Sequence, residues 1–293
     1  MSASWSFAEG DAITDRLTAV RLLGGGAAYE AYLAFDQHLY APVVVKIVRP
    51  DLVEDPSTLR GLERETDLAG ELNHPGLVRG FHATLSGERP HLVLENLDGP
   101  RLSSLIRRHG PLPLQQLLPL ALELASVLHY LGESDVVHLD IKPSNIIMDA
   151  PAKLIDLSVA RTTERARRLD HTVGTDAYMA PEQCDPPRSG APGPAADVWG
   201  MGVTLFEAAA GFRPFVRGST DTGVEAERRL PQRVDRPMLL PDTVPVPVAG
   251  LIEDCLAYDP AHRPVPRVIA ERLEPLLGAL PRPRLAGFKI AIH

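Results

Sequence analysis

Cysteine is nearly absent. Only Cys184 and Cys255 occur in 293 residues, far apart and with no His or Cys at ligand spacing, which argues against a disulfide framework or a cysteine-built metal site and predicts two reduced thiols. Long apolar runs are missing as well. The best candidate, around Leu117 to Leu122, contains Pro119 and falls far short of the ~18–20 residues a membrane span requires. The opening Met1-Ser2-Ala3-Ser4-Trp5 has neither the basic start nor the apolar stretch of a secretory signal. Positive charge is not in excess: 30 Lys and Arg stand against 38 Asp and Glu, a net charge of −8, which argues against a general nucleic-acid binder. No internal repeat is visible. What remains is a chain 44% hydrophobic and 23% charged, long enough for one large or two medium domains around a substantial core. These counts predict a cytoplasmic globular protein with no membrane or nucleic-acid partner.

The most informative stretch runs from Val136 to Ile147. Apolar residues on both sides bury it as short strands and present a polar loop between them. That loop offers a carboxylate (Asp140), an amine two residues on (Lys142) and a carboxamide three further (Asn145). Phosphoryl transfer needs these groups: an acceptor for a hydroxyl proton, a cation for the moving group and an oxygen ligand for Mg²⁺. An ordinary β-turn can hold the same residues, so the rest of the chain decides.

From Asp15 to Val48 the pattern is strand, turn, strand, turn, strand, with Gly24-Gly25-Gly26 in the first turn and Lys46 inside the apolar run Val43 to Val48. A charge in such a strand is costly without a partner. Helical signals follow from Pro56 to Leu72, with Ser57 or Thr58 as caps, and strands are predicted near Val78 to Thr84 and His91 to Glu95. Beyond Pro100 helices dominate. One spans Leu102 to Arg108; another has its apolar face on Leu117, Ala121, Leu124, Leu128 and Leu131 and runs straight into the polar loop. A strand then ends on Asp156, eleven residues after Asn145, a separation that lets a short hairpin bring both to one metal site. Arg161 to Met179 reads as a polar, basic loop, residues 184–194 as a rigid Pro- and Gly-marked surface loop, and a core helix starts at Asp197.

In this order the motifs resemble those of the protein kinase family, and their wording (HPGLV, IKPSN, APEQ, CLAYDPAHRP) is similar to the bacterial eukaryotic-like Ser/Thr group. The polar loop resembles H-R-D-x-K-x-x-N and the segment at Asp156 resembles D-F-G. The likeness extends over about residues 15–277. It implies an α+β, bilobal protein-kinase-like fold: an N-terminal extension (1–14), a small, mostly β N-lobe with one key helix (15–97), a larger, mostly α C-lobe (98–277) and a C-terminal tail (278–293). It also implies a protein serine/threonine kinase that uses ATP and Mg²⁺ on a protein substrate, with Asp140 and Lys142 catalytic and Asn145 and Asp156 on the metal. Gly24, Gly26, Ala31 and Val44 would cover the nucleotide, and Lys46, held by Glu65 (Glu63 is the runner-up), would position the α and β phosphates. Glu95-Asn96-Leu97, after the gatekeeper-like Leu94, would form the hinge that reads adenine, and Ile147 completes the nucleotide contacts. The Thr175 hydroxyl would bond the catalytic aspartate and lysine, Asp197 would brace the catalytic loop, and Arg263 would pair with Glu182. Thr162, Thr163 and Thr172 are candidate phosphorylation sites.

Several positions depart from that pattern. Tyr29 occupies the third glycine position of the phosphate-covering hairpin, where a side chain limits how closely the backbone can approach phosphates. Ala31 and Val44 exchange the family's valine and alanine, which keeps the volume over the base similar. Leu157-Ser158 replace Phe-Gly, and serine is the stiffer of the two small residues. Leu139 removes the arginine that would receive a loop phosphate, so activity is expected not to depend strongly on loop phosphorylation. These departures leave a pseudokinase, a nucleotide-binding scaffold, as the alternative. A small-molecule kinase of the aminoglycoside type shares the catalytic loop but has no role for Gly174-Thr175, Ala180-Pro181-Glu182 or Arg263. Kinases of the bacterial group often carry a membrane anchor and sensor after the catalytic domain. With neither in view, the chain reads as a soluble enzyme or the catalytic fragment of something longer.

Overall fold

The computed structural model describes residues 3–280 apart from 217 and 219–228. Its first part is a five-stranded antiparallel sheet. The strands are β1 (Leu17–Gly25), β2 (Tyr29–Asp36), β3 (Ala41–Val48), β4 (Gly80–Thr84) and β5 (His91–Glu95), in the spatial order β1-β2-β3-β5-β4. Period-two burial sets the faces. Val43, Val45 and Ile47 of β3 join Leu17, Ala19, Tyr32, Ala34 and Val93 in an outer core, which turns Val44 and Lys46 to the opposite side. An apolar outer face cannot be left wet, and the segment before β1 closes it. Trp5 stacks on Phe7 at 5.8 Å, Phe7 meets Tyr32 edge-on at 5.4 Å, Ile13 is fully buried, and the Arg89 guanidinium lies over both the Trp5 and Phe7 rings.

Helix α1 (Pro56–Glu71) packs on the inner side, facing β3, β4 and β5. Its cap is Asp55, whose carboxylate accepts from the Thr58 N–H at 2.7 Å, and not Ser57 or Thr58 as expected. Pro56 explains the shift: it has no N–H to satisfy and a backbone angle suited to the first helical position, so the cap falls one residue before it.

The remainder is mainly helical. α2 (Leu102–His109) and α3 (Leu114–Glu133) precede four two-residue strands: β6 (Val136–Val137), β7 (Ile146–Ile147), β8 (Lys153–Leu154) and β9 (Arg161–Thr162). β7 pairs with β8, and β6 with β9. Then come α4 (Thr163–Arg167), α5 (Pro181–Cys184), α6 (Pro186–Ser189), α7 (Pro194–Ala210), α8 (Val246–Cys255) and α9 (Pro266–Gly278). α7 is buried almost all round and packs on α3 and α8, as a helix apolar on every face must. One continuous core joins Leu62, Leu92 and Leu94 of the sheet side to Leu124, Leu154, Leu157 and Phe206 of the helical side. Among the described residues no helix is long and apolar enough to cross a membrane.

Three local expectations change. The 161–179 stretch is not all loop: Arg161 and Thr162 pair with β6, and the Thr162 hydroxyl caps α4 by accepting from the Arg165 N–H. Residues 186–189 form one helical turn. The helix carrying Asp197 starts at Pro194, again because proline fits a first helical position. Of the expected C-terminal tail, the part from 281 onward lies outside the described residues.

Asp36, at the end of β2, is fully buried and accepts from Arg16 Nε (2.7 Å), His82 Nε2 (3.0 Å) and the N–H groups of His38 and Leu39. Burial would raise its carboxyl, but these donors outweigh it and hold it well below the usual carboxylate range. A depressed folded pKa contributes stability above the unfolded value, about 4, that is lost as pH falls toward the folded one. Asp36→Asn should therefore lower stability at neutral pH and flatten the acid limb of a stability–pH curve measured by urea melts.

Candidate active site

Lys46 faces inward on β3, beside Ala31 of β2 in the ladder. Its Nζ donates to Glu65 Oε2 at 2.6 Å and to Asp156 Oδ1 at 2.7 Å. Glu65 sits on the buried face of α1, 1% exposed, and Asp156 follows β8. Burial alone would lower the ammonium's pKa; the two carboxylates outweigh it and hold Lys46 above its ordinary range. Asp156 is pulled well below its ordinary range despite burial, by the Lys46 charge and by the hydroxyl of Ser158, which donates to Oδ1 at 2.7 Å. Burial pushes Glu65 up, against Lys46. Ser158, expected only to stiffen the segment, holds the Asp156 carboxylate as well. Asp156 itself lies in the left-handed region (φ 71°), which Asp tolerates better than most residues.

The polar loop between β6 and β7 is fixed from beneath. Asp197, in the first turn of α7, accepts from the N–H groups of His138 and Leu139, both at 2.7 Å. Burial pushes its carboxyl up to about 7, against these two donors. Leu139 is 3% exposed at φ 67°, a conformation that costs a non-glycine residue about 1–2 kcal/mol. It is held at both ends, because the Gln183 Nε2 donates to its carbonyl at 2.8 Å. Above the brace, Lys142 Nζ donates to Asp140 Oδ2 and to the Thr175 hydroxyl, both at 2.6 Å. Asp140 and Thr175 are thus linked through the lysine. Asn145 Nδ2 donates to the Asp140 carbonyl and to Oδ2, which leaves its carboxamide oxygen for another partner. Asp140 Oδ1 is buried with no partner among the described residues. The β7–β8 register sets Ile146 opposite Leu154, and the Ile155 N–H bonds the Asn145 carbonyl at 2.9 Å, so Asn145 and Asp156 leave the same end of one hairpin.

Gln183 was not foreseen. Its amide group also donates to the Val173 carbonyl at 2.9 Å and accepts from the Ala180 N–H, so one neutral side chain ties three backbone segments. Gly174 (φ 122°) lies between them, where a Cβ would come within 2.6 Å of the Leu139 carbonyl. No sequence pattern marks a glutamine for this. Glu182, its neighbour, makes a bidentate pair with Arg263 at 2.6 and 2.9 Å. The remaining guanidinium donors reach the carbonyls of Ala195, Ala257 and Tyr258, and the group lies 5.0 Å from the Trp199 ring.

At the other end of the cleft, Val44 is opposite Leu94, and Leu97 packs half-buried against the core. The Glu95 side chain turns away to Lys153 and the Arg79 N–H, leaving only its backbone for the cleft. Ile147 is 8% exposed and bridges to Arg101. Gly24 sits opposite Ala31, and Gly26 is bonded to the Tyr29 carbonyl. Of the candidate phosphosites, Thr172 is exposed and Thr162 caps α4. Arg161 precedes Thr162 in β9, and its Nε, like that of Arg64, is buried with no partner among the described residues.

An antiparallel sheet over a helical body, with a buried lysine bridging two carboxylates between them, defines the bilobal protein-kinase-like class. The chain belongs to the protein kinase domain family, whose model matches residues 17–272. It is 32% identical over 216 residues to serine/threonine-protein kinase PknB of Mycobacterium leprae, covering 71% of this chain and 34% of that protein. To serine/threonine-protein kinase PrkC of Bacillus subtilis it is 30% identical over 259 residues, 87% of this chain and 39% of the relative. To serine/threonine-protein kinase PkaA of Streptomyces coelicolor it is 32% identical over 239 residues, covering 79% and 42%. The chain thus spans about a third to two-fifths of the length of these bacterial relatives.

Removing Arg263 would strand the Glu182 carboxylate, which is 1% exposed. Arg263→Ala should cost about 3–5 kcal/mol, read as a lower urea midpoint, and Arg263→Lys should recover only part because an ammonium cannot make the bidentate pair.

Proposed function

We propose that the chain is a protein serine/threonine kinase that transfers the γ-phosphoryl group of Mg-ATP to Ser or Thr hydroxyls of protein substrates, itself included. The observation that carries this reading is the joint placement of two linked sets: Lys46 bonded to Glu65 and Asp156, and Asp140 bonded to Lys142 and Asn145, with Asn145 and Asp156 leaving one end of the same hairpin. We assign the nucleotide-covering role to residues 15–97 and the catalytic and substrate-binding role to 98–277. The Asp156 carboxylate and the Asn145 carboxamide oxygen are hard oxygen donors of the kind Mg²⁺ prefers, and they leave one end of the β7–β8 hairpin together. Bound there, Mg-ATP would supply the phosphoryl group and neutralise its charge. The protein's own residues position and hold. Lys46 is fixed by Glu65 to meet the α and β phosphates, with Gly24, Gly26, Ala31, Val44, Ile147 and the backbone of Glu95 to Leu97 around the nucleotide. Asp140 Oδ1, buried and unpartnered, is the acceptor for the substrate hydroxyl proton. Lys142 offers its charge to the group in flight while keeping Asp140 in place. A cytoplasmic setting, where ATP is available, fits the unpaired buried Cys184 and Cys255.

Incorporation of label from [γ-³²P]ATP tests the reading. Asp140→Asn should lower kcat by roughly 10²–10⁴-fold while calorimetry still registers Mg-ATP. A wild-type chain that binds Mg-ATP yet transfers nothing would be the nucleotide-binding scaffold instead.

Leu139 offers no guanidinium to a loop phosphate, and Gln183 ties the segment without one. The triple variant Thr162→Ala, Thr163→Ala, Thr172→Ala should therefore retain most turnover of an external substrate. Loss of turnover would point to a phosphate held by Arg64 and Arg161.

A further inference from the structure

Tyr29 starts β2 on the cleft side of the sheet, two residues before Ala31. Its hydroxyl donates to the Thr58 carbonyl in the first turn of α1 at 2.8 Å, and its ring centroid lies 4.8 Å from Lys46 Nζ. Thr58 and Gly61 lie seven and four residues before Glu65, so all three share one face of α1. Glycine inside a 16-residue helix is disfavoured relative to alanine. Here the missing side chain has a use: a Cβ on Gly61 would lie 2.7 Å from the Tyr29 hydroxyl oxygen, though an ordinary 4.0 Å from Cζ. Burial pushes the hydroxyl up to about 12, so it stays a donor at any ordinary pH. The hairpin is fastened from outside too. Arg49 donates to the Gly26 carbonyl at 2.8 Å while paired to the buried Glu30 at 2.9 Å.

We propose that Tyr29 is a positioning residue, a strut between the phosphate-covering hairpin and α1 that keeps Glu65 on Lys46 without an activating partner or a loop phosphate. Gly61 is its socket. The bulky side chain at the third glycine position is then turned to α1, and the cation–π contact adds a neutral neighbour to the Lys46 ammonium. The catalytic part of this inference rests on the kinase reading; the strut itself does not.

Two substitutions isolate the contact. Tyr29→Phe keeps the ring and deletes the hydroxyl; Gly61→Ala keeps the hydroxyl and denies it room. Each should lower kcat on a Ser/Thr peptide by roughly three- to tenfold, the worth of one hydrogen bond, and leave KM for ATP within about twofold. The double variant should be no worse than Tyr29→Phe, because a ring without its hydroxyl leaves the added methyl group uncrowded, and such non-additivity marks a shared contact. Hydrogen exchange across residues 56–71 should quicken in both single variants, a readout that needs no catalysis and so stands even if transfer is never seen. If the contact were idle, Gly61→Ala would only improve the helix. A raised melting temperature with full kcat and unchanged or slower exchange therefore overturns the proposal. So does a gain in turnover or ATP affinity in Tyr29→Gly, which would make the ring an obstruction to the phosphates.

Discussion

A single ammonium holds the two halves of this protein in register. Lys46 is 13% exposed at its side chain and bonded to carboxylates from α1 and from the segment after β8. Neither carboxylate alone would justify the burial. A buried charge left unpaired costs several kcal/mol, and even a good pair only roughly offsets its desolvation. What the arrangement contributes is specificity of position. The pleat of β3, the rotation of α1 and the exit of β8 must all be right at once for one nitrogen to reach two oxygens at 2.6 and 2.7 Å.

The polar loop between β6 and β7 is held differently. Leu139 adopts a backbone conformation that few non-glycine residues accept, and the surroundings over-determine it: Asp197 takes its N–H, Gln183 takes its carbonyl, and the side chain lies in the core. Strain of this sort persists only where neighbours leave no alternative. An arginine at this position would need a counter-charge for the segment that follows. Leucine needs only apolar packing, and the amide of Gln183 then joins loop and segment with no charge to desolvate.

Much of this was legible in the sequence because the chemistry dictates residue type. A lysine inside an apolar strand demands acid partners, and Asp, Lys and Asn in one polar loop are a compact set for phosphate, metal and hydroxyl. Glu65 was preferred over Glu63, and the buried face of α1 carries it to Lys46. The tertiary ties were not legible. Gln183, Ser158 and the hydroxyl of Tyr29 are uncharged side chains whose hydrogen-bond partners are set by three-dimensional register, and their sequence neighbourhoods look like any polar stretch. The cap of α1 was misplaced by a few residues because Ser, Thr and Asp are nearly equivalent as caps, and only Pro56 fixes the choice. The strand at Arg161–Thr162 was missed because a two-residue pairing with β6 leaves no period to read.

Those ties share a consequence. Tyr29 joins the hairpin to α1, Ser158 holds Asp156, and Gln183 joins the polar loop to the segment around Val173. They lie in separate stretches of chain, but Tyr29 and Ser158 meet at Lys46, the one over its ammonium and the other on a carboxylate it pairs with, so those two effects are coupled and only that of Gln183 adds independently. At about 0.5–1.5 kcal/mol for each of the two neutral bonds and about 1.5–3 for the one to a carboxylate, a simple sum favours the assembled cleft by roughly two to four orders of magnitude over a form with all three open. That is comparable to what a single well-placed charged contact provides in a switchable site, but it is spread over bonds that no phosphate, proton or cation has to complete. A cleft assembled this way draws on contacts the folded chain already makes, none of which involves Thr162, Thr163 or Thr172.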